Sequence, residues 1–103
     1  MTAIGFLSVA PVMEGSMSGE VAKAVAAIDE YGVEYQTTPM GTIIEAEEVG
    51  DVFGAAQAAH EAVDGDRVET FLKIDHKRTV TQSADDKVDA VEDHLGHEAR
   101  SDR

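Results

Sequence analysis

Residues 3–10, AIGFLSVA, carry apolar side chains on both alternating faces, with Ile4 and Phe6 on one and Leu7 and Val9 on the other. That is the pattern of a central strand covered on both sides, and Pro11 is expected to end it. After a loop containing Gly15 and Ser16, Ser18 is placed to cap a helix that carries Val21, Val25 and Ile28 and stops near Gly32. Residues 33–38, VEYQTT, alternate Val33 and Tyr35 against Glu34 and Gln36, as a strand with one wet face does. Pro39 cannot donate to a ladder and Gly41 tolerates unusual backbone angles, so a turn precedes a short strand through Ile43 and Ile44. The acidic run Glu45, Glu47, Glu48 suits the start of a second helix, whose Val49, Val52, Phe53, Ala56 and Val63 keep helical spacing until Asp64-Gly65-Asp66. Residues 67–75 form a fourth strand, Val68, Leu72 and Ile74 on one face and Phe71 on the other. A final amphipathic helix uses Ala84, Val88, Val91 and Leu95.

Strand, helix, strand, strand, helix, strand is a split βαβ order. It predicts an α+β fold, a ferredoxin-like βαββαβ sandwich with an added C-terminal helix. One domain spans residues 1–96, and 97–103, HEARSDR, form a frayed tail. Two helices then cover one face of the sheet. The other face, with Phe71 and part of the first strand's apolar set, predicts subunits stacked sheet on sheet, as a homodimer or a dimer of dimers.

Composition sharpens this picture. The 103 residues include 43% hydrophobic but only 5% aromatic ones and no Trp, so the core is built from Val, Ile, Leu and Ala. Twenty-one Asp and Glu against 8 Lys and Arg leave a formal net charge of −13, which argues against nucleic acid as a partner. Such self-repulsion is relieved where the Debye length shrinks to about 3 Å near 1 M salt. The expected setting is therefore the cytoplasm of a halophile. With no Cys, disulfides, thiolate metal sites and cysteine nucleophiles are excluded. AIGFLSVAPVM lacks a basic n-region and reads as a strand rather than a signal peptide, and no stretch approaches a membrane span.

Several polar residues exceed what the pattern requires. Thr42 and Glu45 are three apart along a strand and so face opposite sides of the sheet; Glu45 reads either as a ligand for a cation or as an acid at a helix start. The loop PVMEGSMS offers Ser16, Ser18 and free N–H groups at a helix N-terminus. Capping accounts for Ser18 but not for Ser16, and without a GxxxxGK pattern the loop is no phosphate cradle. Residues 73–78, KIDHKR, cluster cations in a chain short of them, suiting an anion or acids of a neighbouring subunit. His60 falls seven residues after Phe53, on the stripe expected to be buried, where a hydrogen-bonded core histidine is the ordinary reading. His94 and His97 read as part of a solvated terminus, so no metal is expected. No Ser, His and acid trio has a recognisable spacing, and no catalytic residue is assigned.

The segments TPMGTIIEAE, AAHEAV, RVETFLKID with Arg78, and DDKVDAVEDHL together resemble the small thiamine-binding protein family over nearly the whole chain. The resemblance implies a ferredoxin-like subunit that forms dimers and tetramers and binds thiamine or its pyrimidine part without turning it over, so thiamine is a ligand rather than a cofactor. Gly41, Thr42 and Glu45 match the central motif, His60 the helix motif, and Lys73, Asp75 and Arg78 the fourth-strand motif. His76, Lys77 and Thr79 depart from the acid and the Arg-Asp pair that usually follow there. Thiamine's thiazolium is a permanent cation, for which Glu45, Phe6 and Tyr35 are candidates, and Ser16, Ser18 and Thr42 suit its aminopyrimidine. Two rival readings are a regulatory module that binds another small metabolite at a subunit interface, and a structural oligomer without ligand.

Overall fold

A computed structural model describes residues 1–101. Four strands, β1 (Thr2–Pro11), β2 (Glu34–Thr38), β3 (Gly41–Ala46) and β4 (Val68–Lys77), form an antiparallel sheet in the order β2-β3-β1-β4. Helices α1 (Ser18–Tyr31) and α2 (Val49–Ala62) cross one face, and α3 (Ala84–Leu95) follows β4. This is the expected ferredoxin-like α+β order with an added C-terminal helix.

The pleat sorts β1 as its pattern predicts. Ala3, Gly5, Leu7 and Val9 point toward the helices and meet His76, Ile74, Leu72 and Thr70 of β4 in register; Ile4, Phe6 and Ser8 point the other way. Leu7, Ile28, Ile44 and Val52 are the largest fully buried side chains, and Ala55 and Ala59 of α2 complete the layer. Small residues let the helix come close: a Cβ on Gly5 would stand 2.6 Å from Val52 Cγ1, so Gly5 leaves the room that α2 occupies. α1 ends at Gly32, whose φ of 92° is the left-handed closure expected there. Lys23 of α1 reaches both Glu20, at 2.8 Å, and Asp64, at 2.9 Å, while the Asp64 N–H donates to Glu20; this triad pins the loop after α2 against α1. The ion pairing holds the Glu20 carboxyl below its usual range and the Lys23 ammonium above its own.

Five expectations are corrected. Ser18 is the first residue of α1, not its cap; Met17 holds the cap position, and the Ser18 N–H donates to Ser16 Oγ at 3.3 Å. Ser16, which capping left unexplained, thus serves the helix start. The second helix does not begin at Glu45, which lies in β3; Glu48 precedes α2 in extended conformation. Three residues separate Glu45 from Val49 because β3 continues pairing with β1 as far as Ala46. Phe53 and His60 are exposed, since the buried side of α2 runs through the expected Val52 and Ala56 together with Ala55 and Ala59. His60 does hydrogen bond, Nδ1 to Thr70 Oγ1 of β4, but at the surface. β4 extends beyond residue 75 to Lys77, and β1 includes Pro11, which lies past the end of β3 where no N–H is needed on that side.

α3 differs from the other helices. Ser83 and Asp86 form a reciprocal capping box at its start, each side chain accepting from the other's backbone N–H at 3.0 Å, and Gly96 closes its end. None of its side chains is buried. Beyond it, the Ala99 N–H folds back onto Glu92, and residues 102–103 of the expected tail lie outside the described residues.

Candidate ligand site

The GTIIE segment divides its residues between the two faces of the sheet. Thr42 and Ile44 point toward the helices, Ile43 and Glu45 away from them. Gly41 begins β3 directly beneath Phe6: a Cβ there would stand 2.7 Å from both the Phe6 ring and the Leu7 carbonyl, so only glycine lets the hairpin close at this point. Thr38 ties the turn, accepting from the N–H groups of Met40 and Gly41 and donating to the Gly41 carbonyl at 2.7 Å.

On the helix side, the β2–β3 hairpin, the end of β1 and the first half of α1 enclose a cavity of about 240 Å³. Its polar wall includes Thr37 and Thr42; its apolar wall includes Met17, Val21 and Val25. Thr42 is only 6% exposed, and its Oγ1 lies 3.5 Å from Thr37 Oγ1, the outer limit of a hydrogen bond. Both hydroxyls therefore retain donor and acceptor capacity toward a ring in the cavity. Ser16 and Ser18 flank Met17 in the loop beside it, their hydroxyls 3.0 Å apart.

On the other face the chemistry is acidic. A cleft of about 170 Å³ is bordered by Glu34, Tyr35, Glu45 and Asp85. It adjoins a wider one of about 470 Å³, where Glu47, Glu48, Asp51 and Asp86 join Glu34 and Glu45. Glu34 and Glu45 stand directly opposite each other in the β2–β3 register, a like-charge pair that costs stability unless screened or paired. One oxygen of Glu45 is engaged: it accepts the Ala84 N–H at 2.6 Å and so joins β3 to the start of α3. Tyr35 borders this cleft but stands opposite Ile44, so its side chain turns to the helix side, where it donates to Asp29 of α1 at 2.9 Å; that bond raises its phenol above the usual range.

The remaining candidates are dispersed. Phe6 lies on the face away from α1 and α2 and meets Phe71 edge to face, with centroids 6.2 Å apart. Lys73 and Asp75 share that face on β4, and Lys87 of α3 pairs with Asp75, holding its carboxyl below the ordinary range with help from Lys77 and Lys73. Arg78 follows the strand and is exposed. Thr42 and the Ser16–Ser18 loop thus gather on the helix side, while Glu45, Phe6, Lys73 and Asp75 gather on the other. The serine and threonine contacts and the glutamate do not converge on one cavity within the chain. Sequence reasoning missed Thr37, whose place opposite Thr42 only the β2–β3 register reveals. It also missed the Glu45–Ala84 contact, although Ser83-Ala-Asp-Asp86 was a legible capping signature for α3.

Residues 6–92 match the sequence model of a family described as thiamine-binding protein. The chain belongs to that family. It is 42% identical over 83 residues to a UPF0045 protein of Methanothermobacter thermautotrophicus, covering 78% of this chain and 84% of the relative. It is 37% identical over 87 residues to the UPF0045 protein YqgV of Bacillus subtilis, covering 78% and 83%. The crystal structure of MJ1052 from Methanocaldococcus jannaschii superposes with a TM-score of 0.80 at 30% identity, over 87% of this chain and 95% of that one. A Thermotoga maritima protein provisionally described as serving thiamine biosynthesis or salvage shares the fold, with a TM-score of 0.68 at 23% identity over 88% and 99% of the two chains. Among the described residues no helix is long and apolar enough to cross a membrane, and no group of three or more His, Asp or Glu is arranged to hold a metal ion.

Proposed function

We propose that this protein binds thiamine, or the aminopyrimidine half of it, without chemical turnover, as a self-associating carrier or sensor in the cytoplasm of a salt-rich cell. Membership of the thiamine-binding family is the observation that carries the reading. The helix-side cavity supports a place for the ring. Typical sites for drug-sized ligands run from about 300 Å³ upward, so about 240 Å³ suits one heterocycle better than a whole cofactor. Thr42 and Thr37 offer hydroxyls to an aminopyrimidine, Met17 supplies an apolar wall, and Ser16 and Ser18 stand beside it. The permanently cationic thiazolium is drawn by the chain's net charge of −13. Glu45 and Phe6, on the opposite face, are left to assembly and to α3 in this reading. The acid-walled cleft at Glu45 favours a second reading, in which the cationic ring binds there instead.

Calorimetric titration of thiamine, thiamine phosphate and a bare aminopyrimidine into the purified protein in molar KCl tests the function. Saturable binding near one ligand per protomer or per pair is expected, with the aminopyrimidine retaining much of the affinity. No heat and no thermal shift from any of the three would reject it in favour of another metabolite or a structural role.

A further inference from the structure

The two ladders of β1 end at different places. β4 pairs with β1 from Thr2 to Pro11, whereas β3 stops at Leu7, opposite Thr42. Residues 8–11 of β1 therefore have a neighbouring strand along one edge only. Successive residues of a strand direct their N–H and C=O groups to opposite edges, so two contacts settle which residues face the open edge. The Val12 N–H donates to the Arg67 carbonyl, on the β4 side, at 2.8 Å. The Leu7 carbonyl lies on the β3 side, 2.7 Å from where a Cβ on Gly41 would stand. Odd-numbered residues of this stretch thus turn toward β3, and Val9 and Pro11 are the two that lie past the end of its ladder. Pro11, with no N–H to leave unpaired, suits such an edge.

Continuing the register brings Met40 opposite Val9, but Met40 belongs to the hairpin turn and its N–H donates to Thr38 Oγ1 at 3.3 Å. The N–H and C=O of Val9 are left directed past the hairpin tip, where Val9, Met17, Met40 and Thr42 line the helix-side cavity. Backbone groups in such a place rarely go without a partner. The Val9 side chain is 8% exposed and belongs to the core, so the edge is held rigidly. None of the residues lining the cavity is charged.

We propose that the Val9 N–H and C=O are the recognition edge of the site, making a two-point contact with a flat, neutral heterocycle that carries an amino group beside a ring nitrogen. The N–H donates to the ring nitrogen, and the C=O accepts from the amino group. An aminopyrimidine has that edge. Its oxo counterpart presents a ring N–H and a carbonyl oxygen, setting donor against donor and acceptor against acceptor. The hydroxyls of Thr37 and Thr42 can each donate or accept, so they add affinity without separating the two rings. This rests on the ligand reading above and adds the group that selects the ring.

The test is calorimetric titration of thiamine and of a bare aminopyrimidine into the unmodified protein in molar KCl, each beside the analogue in which a carbonyl oxygen replaces the amino nitrogen. The Val9 amide is followed by NMR in parallel. The amino compounds are expected to bind at least about twentyfold more tightly, two hydrogen bonds of about fivefold each being lost in the analogues. Saturation with the aminopyrimidine is also expected to shift the Val9 amide resonance and slow its exchange with solvent. No preference for the amino compounds, or a preference with an unchanged Val9 amide, overturns the recognition edge and leaves the thiamine reading standing. No binding of any of the four compounds overturns both.

Discussion

The two faces of the sheet are built from the same strands and behave in opposite ways. Toward α1 and α2, Ala3, Leu7, Ile44 and Val52 are sealed to 2% exposure or less, and the polar Thr42 stands among them with its hydroxyl turned into a cavity. On the other side, Phe6 and Phe71 meet at the surface, and α3 is held by polar contacts without burying a side chain. Alternation along a strand fixes which residues share a face; whether that face is finished depends on what packs on it. One face is completed within the chain and encloses a neutral cavity; the other leaves Phe71 exposed and α3 without a buried side chain.

Neighbouring isoleucines provide the largest expected contrast. Ile44→Ala, deleting a fully buried side chain, should lower unfolding free energy by about 2–5 kcal/mol, whereas Ile43→Ala, on the open face, should cost less than about 1.5 kcal/mol in dilute protein. Denaturant melts of the two variants check this, and equal losses would erase the distinction between the faces. Screening comes next. Raising KCl from millimolar to molar should raise the melting temperature by about 5 °C or more, because the Glu34–Glu45 pair and the acids near it repel across short distances. A melting temperature that falls instead would reject salt adaptation.

The smaller effects concern α3. Ser83→Ala removes half of the capping box and should cost the helix about 1 kcal/mol, visible as lost helical circular dichroism with little change in the main transition. Smallest is a pH effect. Lys87 depresses the Asp75 carboxyl, so the pair's contribution is fully present above the ordinary carboxylate pKa and is lost as pH falls through the lowered folded value. Amide exchange of α3 followed down through the acid range should show it loosening there, and Asp75→Asn should abolish that dependence.

The fold was legible because its signals are local. β1 alternates on two apolar faces, Gly32 closes α1, and Pro39 with Gly41 marks the hairpin. On α2 the expected stripe named Val52, Ala56 and Val63 rightly but added Phe53 and His60 and left out Ala55 and Ala59, because alanines, equally at home buried or exposed, blur its edge. The boundary at Glu45 failed for a different reason. Acids suit a helix start, but β1 continues to pair with β3 through Ala46, and ladder hydrogen bonds outweigh a local preference. Of the site, the opposite facing of Thr42 and Glu45 followed from their spacing. The pairing of Thr42 with Thr37 and the bond from Glu45 to Ala84 did not, because they depend on strand register and on where a distant helix comes to rest.

The proposed place of the ligand on the helix side is tested most directly by titrating thiamine into Thr42→Val and Glu45→Gln side by side in molar KCl. The account predicts that Thr42→Val, which keeps the shape and loses the hydroxyl, weakens binding about fivefold, in line with the roughly 1 kcal/mol of a buried hydrogen bond. Glu45→Gln should leave affinity within about twofold of the parent. Weakened binding by Glu45→Gln alone would contradict the account and move the ligand to the acidic cleft.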